Sequence, residues 1–293
     1  KIRRHRVYLA LIGLLSLKEK HKNDLRKRGL SEAEIIRMEE KGYRSTAASE
    51  SQAVARKLIK QGFRLEGVPG FFLNKRGDWE IAFYQKNAGY LCPVWTEEGL
   101  LAAFQIRLDH PCKKRKYVWL TSTNMEKGCS GGSPVGISGN PHADSIYVTE
   151  GILKAEIAYQ HTGKTFLGNP GVMNHKELKQ ILTCLKKQGL KNVYECYDMD
   201  KLMSLECRMD YDSACGGCLE NEGKKECPRK RRKRNNIRNG CVKLYRICEE
   251  LSLSCRRIVW DRGTDGLWME HYKGIDDWMM DLTDRKRQKM GKE

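Results

Sequence analysis

From Asp144 onward the chain alternates short β-type runs with helical ones, and this alternation limits its fold more than any other feature. "SIYVT" precedes "ILKAEIAYQHTG", "TFLGNP" precedes "NHKELKQILTCLKKQG", and "NVYECYD" precedes, after an insertion, "NGCVKLYRICEELS". "CRRIVW" and a helix from about Asp276 close the series. Strands alternating with helices predict a parallel sheet with helices on both faces. Ligands of such sheets bind beyond the carboxyl ends of the strands. Glu150, Asp198 and Asp200 all fall at such ends.

Two aspartates one residue apart at a strand end project to one side. A third carboxylate from a neighbouring strand end, Glu150, can complete a pocket. Crowded carboxylates raise each other's pKa unless a cation joins them. Mg²⁺ prefers oxygen ligands and often combines one or two carboxylates with substrate phosphates. Such ions can assist phosphoryl transfer. "KGIDDWM" adds Asp276 and Asp277 after the last strand. The plainer reading, helix caps and solvated loop acids, weakens as the motifs accumulate in a basic protein.

The first half has a different texture. Residues 1–45 read as helices. "SLKE" at Ser16 and "SEAE" at Ser31 carry the capping-box spacing, so two short helices separated near Gly29 are expected. "VYLALIGLLSL", Val7 to Leu17, is too short to span a bilayer. It follows "KIRRHR" but lacks a small-residue cleavage site, so an amphipathic helix is expected rather than a signal peptide. Residues 46–140 hold short β-type runs separated by turns, among them "GYLCPVW", "LLAAFQIRL" and "KYVWLTS", and predict a basic α+β subdomain with a mixed or antiparallel sheet. Trp79, Trp95 and Trp119 lie in such runs and are expected in the core. "GCSGGSP" reads as a linker. "HTGKT" lacks the leading glycine of a phosphate loop and ends a helix rather than starting one.

A net charge of +18 over 293 residues suggests a polyanionic partner, and no membrane span is expected. Of the 12 cysteines, eight lie beyond residue 195, which fits a reducing cytoplasm with a local metal site better than a secreted disulfide framework. Cys215 and Cys218 form Cys-x-x-Cys; Cys207 and Cys227 flank them in the insertion at 205–234. Four thiolates around a glycine-containing knuckle suit structural zinc. Free thiols and an iron–sulfur cluster remain open. The adjoining "PRKRRKR" is expected to ride on this knuckle and grip phosphates.

"VTEG" followed by "YDMD" resembles the TOPRIM domain of bacterial primases, topoisomerases and some nucleases. Upstream, "LRKRGLSEAEIIRMEEKGY" resembles the segment that opens the catalytic core of DnaG-type primases. "GYLCPVWTEEGLLAAFQIRLD" is similar to that core's strand–turn–strand, "KYVWLTS" to its Lys-Tyr-Asn-Ser segment, and "KGIDDWM" to its closing acidic motif. "EGILKA" and "KGIDDW" are closer still to TOPRIM proteins carried on bacterial mobile elements. The resemblance covers residues 12 to 283.

It implies a TOPRIM domain at 141–285, with residues 286–293 as a tail, after a primase-type N-terminal subdomain. It implies a nucleotidyltransferase making short RNA primers on single-stranded DNA from nucleoside triphosphates, with a replicative helicase as a possible partner. Glu150 would be the general base or a metal-site carboxylate. Asp198 and Asp200 would hold Mg²⁺ or Mn²⁺, with Asp276 and Asp277 completing the acidic site. Arg107 and Lys116, with Tyr117 beside them, would face the template backbone or the nucleotide, and Lys154 and Lys201 would also meet phosphates. Two departures weaken the match. The primase motif has an acid four residues after the glutamate, where this chain has Lys154, and Val118 replaces the Asn of Lys-Tyr-Asn. A TOPRIM nuclease and a non-catalytic nucleic-acid-binding subunit are the alternatives.

Overall fold

The computed structural model describes residues 1–112, 115–211, 213, 215–218 and 225–290. The chain divides into two compact units, Lys1–Ser138 and Gly139–Glu293.

The first unit opens with helix α1 (Ile2–Gly13), whose Val7, Tyr8, Leu11 and Ile12 are buried on one stripe, the amphipathic pattern. Helix α2 (Glu19–Arg26) starts later than the Ser16 spacing predicts. Its N-cap is Lys18, and the Ser16 carbonyl instead accepts the Ser45 N–H at 2.9 Å. Helix α3 (Glu32–Glu40) has the predicted capping box at Ser31, with Ser31 N–H donating to Glu34 Oε2 at 2.7 Å.

Strands β1 (Arg44–Ser45), β4 (Gly89–Trp95), β5 (Leu101–Cys112) and β6 (Arg115–Trp119) form an antiparallel sheet in the order β1-β4-β5-β6. β2 (Phe71–Leu73) and β3 (Trp79–Ile81) form a separate antiparallel pair. Helix α4 (Ser51–Lys60) packs against β3, and β7 (Gly136–Ser138) ends the unit. The N-terminal helices are not a separate body. Val7, Tyr8 and Leu11 share one core with Leu58, Phe71, Leu91 and Phe104, and the Tyr8 and Phe104 rings meet edge-on at 4.9 Å. Trp79 and Trp95 pack partly buried against that core; Trp119 is half-buried.

In the second unit, β8 (Ser145–Glu150), β9 (Phe166–Asn169), β10 (Asn192–Glu195) and β11 (Ser254–Arg257) pair in parallel in the order β11-β10-β8-β9. Helix α5 (Ile152–Thr162) packs with α8 (Ile275–Met290), and α6 (His175–Lys187) with α7 (Pro228–Glu250). From β8 the chain moves to β9 on one side and then crosses to β10 on the other. The carboxyl ends of β8 and β10 therefore flank a topological switch point, where open α/β sheets form a crevice.

The basic run does not belong to a loop. Helix α7 begins at Pro228, the favoured first helical position for proline, so "PRKRRKR" forms its first two turns. Among the described residues, no helix is long and apolar enough to cross a membrane.

Candidate active site

The turn after β8 depends on two glycines. Gly151 has a φ of 97°, in the left-handed region that L side chains rarely adopt. A Cβ on Gly168 would lie 2.8 Å from Ile152 Cα and 2.9 Å from the Gly151 carbonyl oxygen. With both positions glycine, α5 starts hard against β9 and Glu150 stands at the lip of the sheet. Lys154 follows in the first turn of α5.

Pairing of β8 with β10 continues past Glu195, where Cys196 N–H donates to the Val148 carbonyl at 2.8 Å. Asp198 then precedes a single 3₁₀ turn, Met199–Leu202, that carries Asp200 and Lys201. Met199 N–H donates to the Lys273 carbonyl at 2.9 Å, joining this turn to the segment before α8. Ile275, fully buried against Ala155 and Ala158, fixes the start of α8.

These constraints bring Glu150, Lys154, Asp198, Asp200, Lys273 and Asp276 into one cluster. Asp198, Asp200 and Asp276 are buried. The Lys154 ammonium donates to Asp198 Oδ1 at 2.5 Å. Lys273 Nζ lies 3.5 Å from Asp198 Oδ2 and 3.1 Å from Asp200 Oδ2. Lys233, from α7, is 3.2 Å from Asp200 Oδ1, an ion-pair contact outside hydrogen-bond geometry. A Cβ on Gly274 would lie 2.2 Å from Asp276 Oδ1 and 3.2 Å from Lys154 Nζ, so these two groups border the same point.

The charges act on each other. Burial, and then the negative charge of Asp198, hold the Glu150 carboxyl above its ordinary pKa. Burial opposes the charge on Lys154, but Asp198, Asp276 and Glu150 outweigh it and keep the ammonium protonated beyond its usual range. Lys273 follows the same pattern through Asp200 and Asp198.

Two of the expected site residues lie elsewhere. Asp277 is exposed, and its Oδ2 accepts the Gly274 N–H at 3.1 Å, so this carboxylate caps α8. Lys201 is buried. Its ammonium donates to Glu195 Oε1 at 2.7 Å and does not face a surface where a phosphate could bind. Its alkyl stem folds inward because Glu195, at the buried end of β10, needs a counter-charge.

The divalent ion implied by the resemblance can be tested against this arrangement. Mg²⁺ needs carboxylate oxygens at about 2.0–2.1 Å in near-octahedral array. Both oxygens of Asp198 and both of Asp200 already face lysine ammoniums. Among the described residues, no three His, Cys, Asp or Glu side chains are grouped to hold a metal. As arranged, the residues do not fit the ion.

Four participants were missed or misread from the sequence. Lys273 opens "KGIDDWM", where the sequence marks only the two aspartates. Lys233 and Arg234 belong to the run expected to grip phosphates, and Arg238 lies just beyond it. Arg234 Nη1 in fact donates to the Met203 carbonyl at 3.1 Å and Arg238 Nε to the Lys201 carbonyl at 2.9 Å. Helical spacing of Lys230, Arg234, Ile237, Arg238 and Cys241 was the available signal for one inward-facing side.

In the insertion, Cys207 N–H donates to the Lys225 carbonyl at 3.1 Å and Cys227 N–H to the Leu205 carbonyl at 2.8 Å. Cys215 opens a 3₁₀ turn that Cys218 follows, and Cys227 stands at the N-cap position of α7. Among the described residues, no disulfide joins any of the four.

Within the first unit, Arg107 and Tyr117 are register partners across β5 and β6. The guanidinium carbon lies 5.3 Å from the ring centroid, a cation–π contact. Arg107 Nη1 is buried and has no hydrogen-bond partner among the described residues. Lys116 is exposed.

No family model matches the chain, and no curated protein matches it. Its fold is that of DnaG-type primase domains. A structure of the Aquifex aeolicus primase, comprising its zinc-binding and RNA polymerase domains, aligns with a TM-score of 0.61 at 13% identity, over 98% of this chain and 60% of that one. The RNA polymerase domain of Mycobacterium tuberculosis primase DnaG aligns at 0.52 and 16% identity, over 67% of this chain and 66% of that one. The same domain in complex with a double-stranded DNA oligomer carrying a 6-nucleotide overhang also aligns at 0.52, over 84% of this chain and 83% of that one. The chain thus spans less than two thirds of the first two structures.

Proposed function

We propose that this protein is a primase-like nucleotidyltransferase that binds single-stranded DNA and nucleoside triphosphates and makes short RNA primers, with residues 141–285 serving as a TOPRIM domain. The observation that carries this reading is the gathering of Glu150, Asp198, Asp200 and Asp276 at the switch point of a parallel sheet within a primase-type fold. The +18 net charge supports a polyanionic partner. Arg107 Nη1, which has no partner among the described residues, supports a phosphate or base contact beside Tyr117.

In this reading a 3′-hydroxyl attacks the α-phosphate of the incoming nucleotide. A new P–O bond forms, and the bond to the β-phosphate breaks to release pyrophosphate. Glu150, whose carboxyl titrates above the ordinary range, accepts the hydroxyl proton. Lys154 and Lys273 offset negative charge near the reacting phosphate.

The test is incorporation of labelled ribonucleotides, supplied as magnesium salts, on a single-stranded template. Wild type should yield short oligomers, and Asp198→Asn with Asp200→Asn should reduce them by about a hundredfold or more. Equal product from both proteins would overturn the assignment. Cleavage of a labelled oligonucleotide without added nucleotides would favour a nuclease instead.

A second reading, a non-catalytic nucleic-acid-binding subunit, is favoured by one observation: Lys154 and Lys273 cover the oxygens of Asp198. It predicts salt-sensitive DNA binding, indifferent to Asp198→Asn, with no primer synthesis.

A further inference from the structure

Three lysines from three separate segments converge on two buried aspartates. Lys154 comes from the first turn of α5, Lys273 from the segment before α8, and Lys233 from α7. Between them they contact all four carboxylate oxygens of Asp198 and Asp200, at 2.5, 3.5, 3.1 and 3.2 Å. The aspartates are nearly inaccessible, with side chains 4% and 2% exposed, so these are not surface pairs that solvent screens away.

We infer that Lys154 and Lys273 are the resident cations of this cluster and occupy the positions that a divalent ion would need. Lys154 lies between Asp198 and the point bordered by Asp276. Lys273 bridges Asp198 and Asp200. An ion bound to the same oxygens would have to expel both ammoniums, and like charges at such short range exclude one another. Tethered cations also hold the acids together without any ion from solution. The cluster is therefore built to fold and keep its shape in metal-free solution, and its wild-type affinity for divalent ions is weak. The inference rests on the cluster's geometry and not on the proposed polymerase activity. A failure of primer synthesis leaves it standing, and its own failure leaves primer synthesis open.

The test is Mn²⁺ binding, read from the loss of the free-ion electron paramagnetic resonance signal, with the full chain. Lys154→Met strips a buried carboxylate of its counter-ion, which costs several kcal/mol when nothing replaces it. Mn²⁺ should therefore bind Lys154→Met at least about tenfold more tightly than wild type. Lys154→Arg should match wild type, and adding Asp198→Asn to Lys154→Met should abolish the gain. Equal Mn²⁺ affinity in wild type and Lys154→Met, whether tight or undetectable, would overturn the inference. If Lys154→Met does not fold, Lys273→Met is read in the same way, since Lys273 is half-exposed.

Discussion

The ammonium of Lys201 lies 2.7 Å from Oε1 of Glu195, with both side chains almost wholly out of solvent. Glu195 Oε1 also accepts the Tyr197 N–H at 2.8 Å, and its Oε2 accepts the Tyr245 hydroxyl at 2.8 Å. Lys201 donates further to the Ile258 carbonyl at 3.2 Å and stands 5.4 Å from the Trp260 ring centroid. This hub joins β10, the 3₁₀ turn, α7 and the strand end after β11 directly behind Asp198 and Asp200. Arg257 Nε also lies 3.4 Å from Glu195 Oε2 but is half-exposed, so removing Lys201 leaves the buried carboxylate with a weaker counter-charge. Lys201→Met should destabilise the second unit by about 3–5 kcal/mol. Urea unfolding measures this, and a change under about 1 kcal/mol would show that water reaches the pair.

Glu150 gives a pH-dependent prediction. Burial and Asp198 raise its folded pKa above the unfolded one. The unfolded chain therefore releases this proton first, and folding is penalised as pH rises through the folded value. Below the unfolded value both states are protonated and the penalty vanishes. Glu150→Gln should accordingly raise Tm by a few degrees at about pH 8 and have little effect at about pH 4. A stabilisation that grew as pH fell would contradict the sign.

Near the first unit's N-terminus, His21 is buried between Ser45 Oγ at 2.6 Å and Asp109 Oδ1 at 2.7 Å. Burial lowers its pKa more than Asp109 raises it. The unfolded state then takes up the proton more readily, so stability is present above the unfolded value and is lost as pH falls. Thermal melts should show Tm falling from about pH 7 to about pH 5, in the range where an ordinary histidine titrates. His21→Gln should flatten that fall, and an unchanged slope would assign it to other groups.

For the first unit's basic strand pair, Arg107→Ala and Lys116→Ala should each weaken single-stranded DNA binding. If each contacts one phosphate, each should reduce the slope of log K against log salt by about 0.7. Fluorescence anisotropy across a salt series reads this directly. Loss of affinity with an unchanged slope at Arg107 would point instead to base stacking with Tyr117.

The insertion carries a compositional prediction. As arranged, Cys207, Cys215, Cys218 and Cys227 are not grouped to hold a metal; we propose that binding of about one structural zinc per chain draws them together, as metal binding and folding are coupled in such knuckles. Plasma emission analysis of protein never exposed to chelator should find it, and Cys215→Ser with Cys218→Ser should lose it. Chelator should lower Tm, because Cys227 also starts α7. Zinc-free protein with an unchanged melt would leave the four as ordinary thiols.

Much of this architecture is written locally. The alternation after Asp144 reflects side-chain period and β-branched content, and it sufficed for the parallel strands. The Ser31 box and the stripe of α1 are also local, because capping and amphipathic spacing act within one turn or two. The end of the basic run was not local in the same way. Seven charged or proline residues read as the end of the insertion, yet a proline at the first helical position and an inward bond from Arg234 place them in helix, continued by Arg238.

The sequence alone put Glu150, Asp198 and Asp200 at the ends of expected parallel strands, but it could not separate Asp276, which is buried beside them, from Asp277, which caps α8. Only the tertiary structure decided what neutralises them. Lys154, Lys233 and Lys273 are 40 to 119 residues apart in the chain, and no periodicity links them to Asp198 and Asp200. The same holds for Lys201, which sits beside Asp200 in sequence but turns to Glu195. A charge's partner is set by distances after packing, and Coulomb attraction in a buried setting rewards the nearest opposite charge regardless of where it lies along the chain.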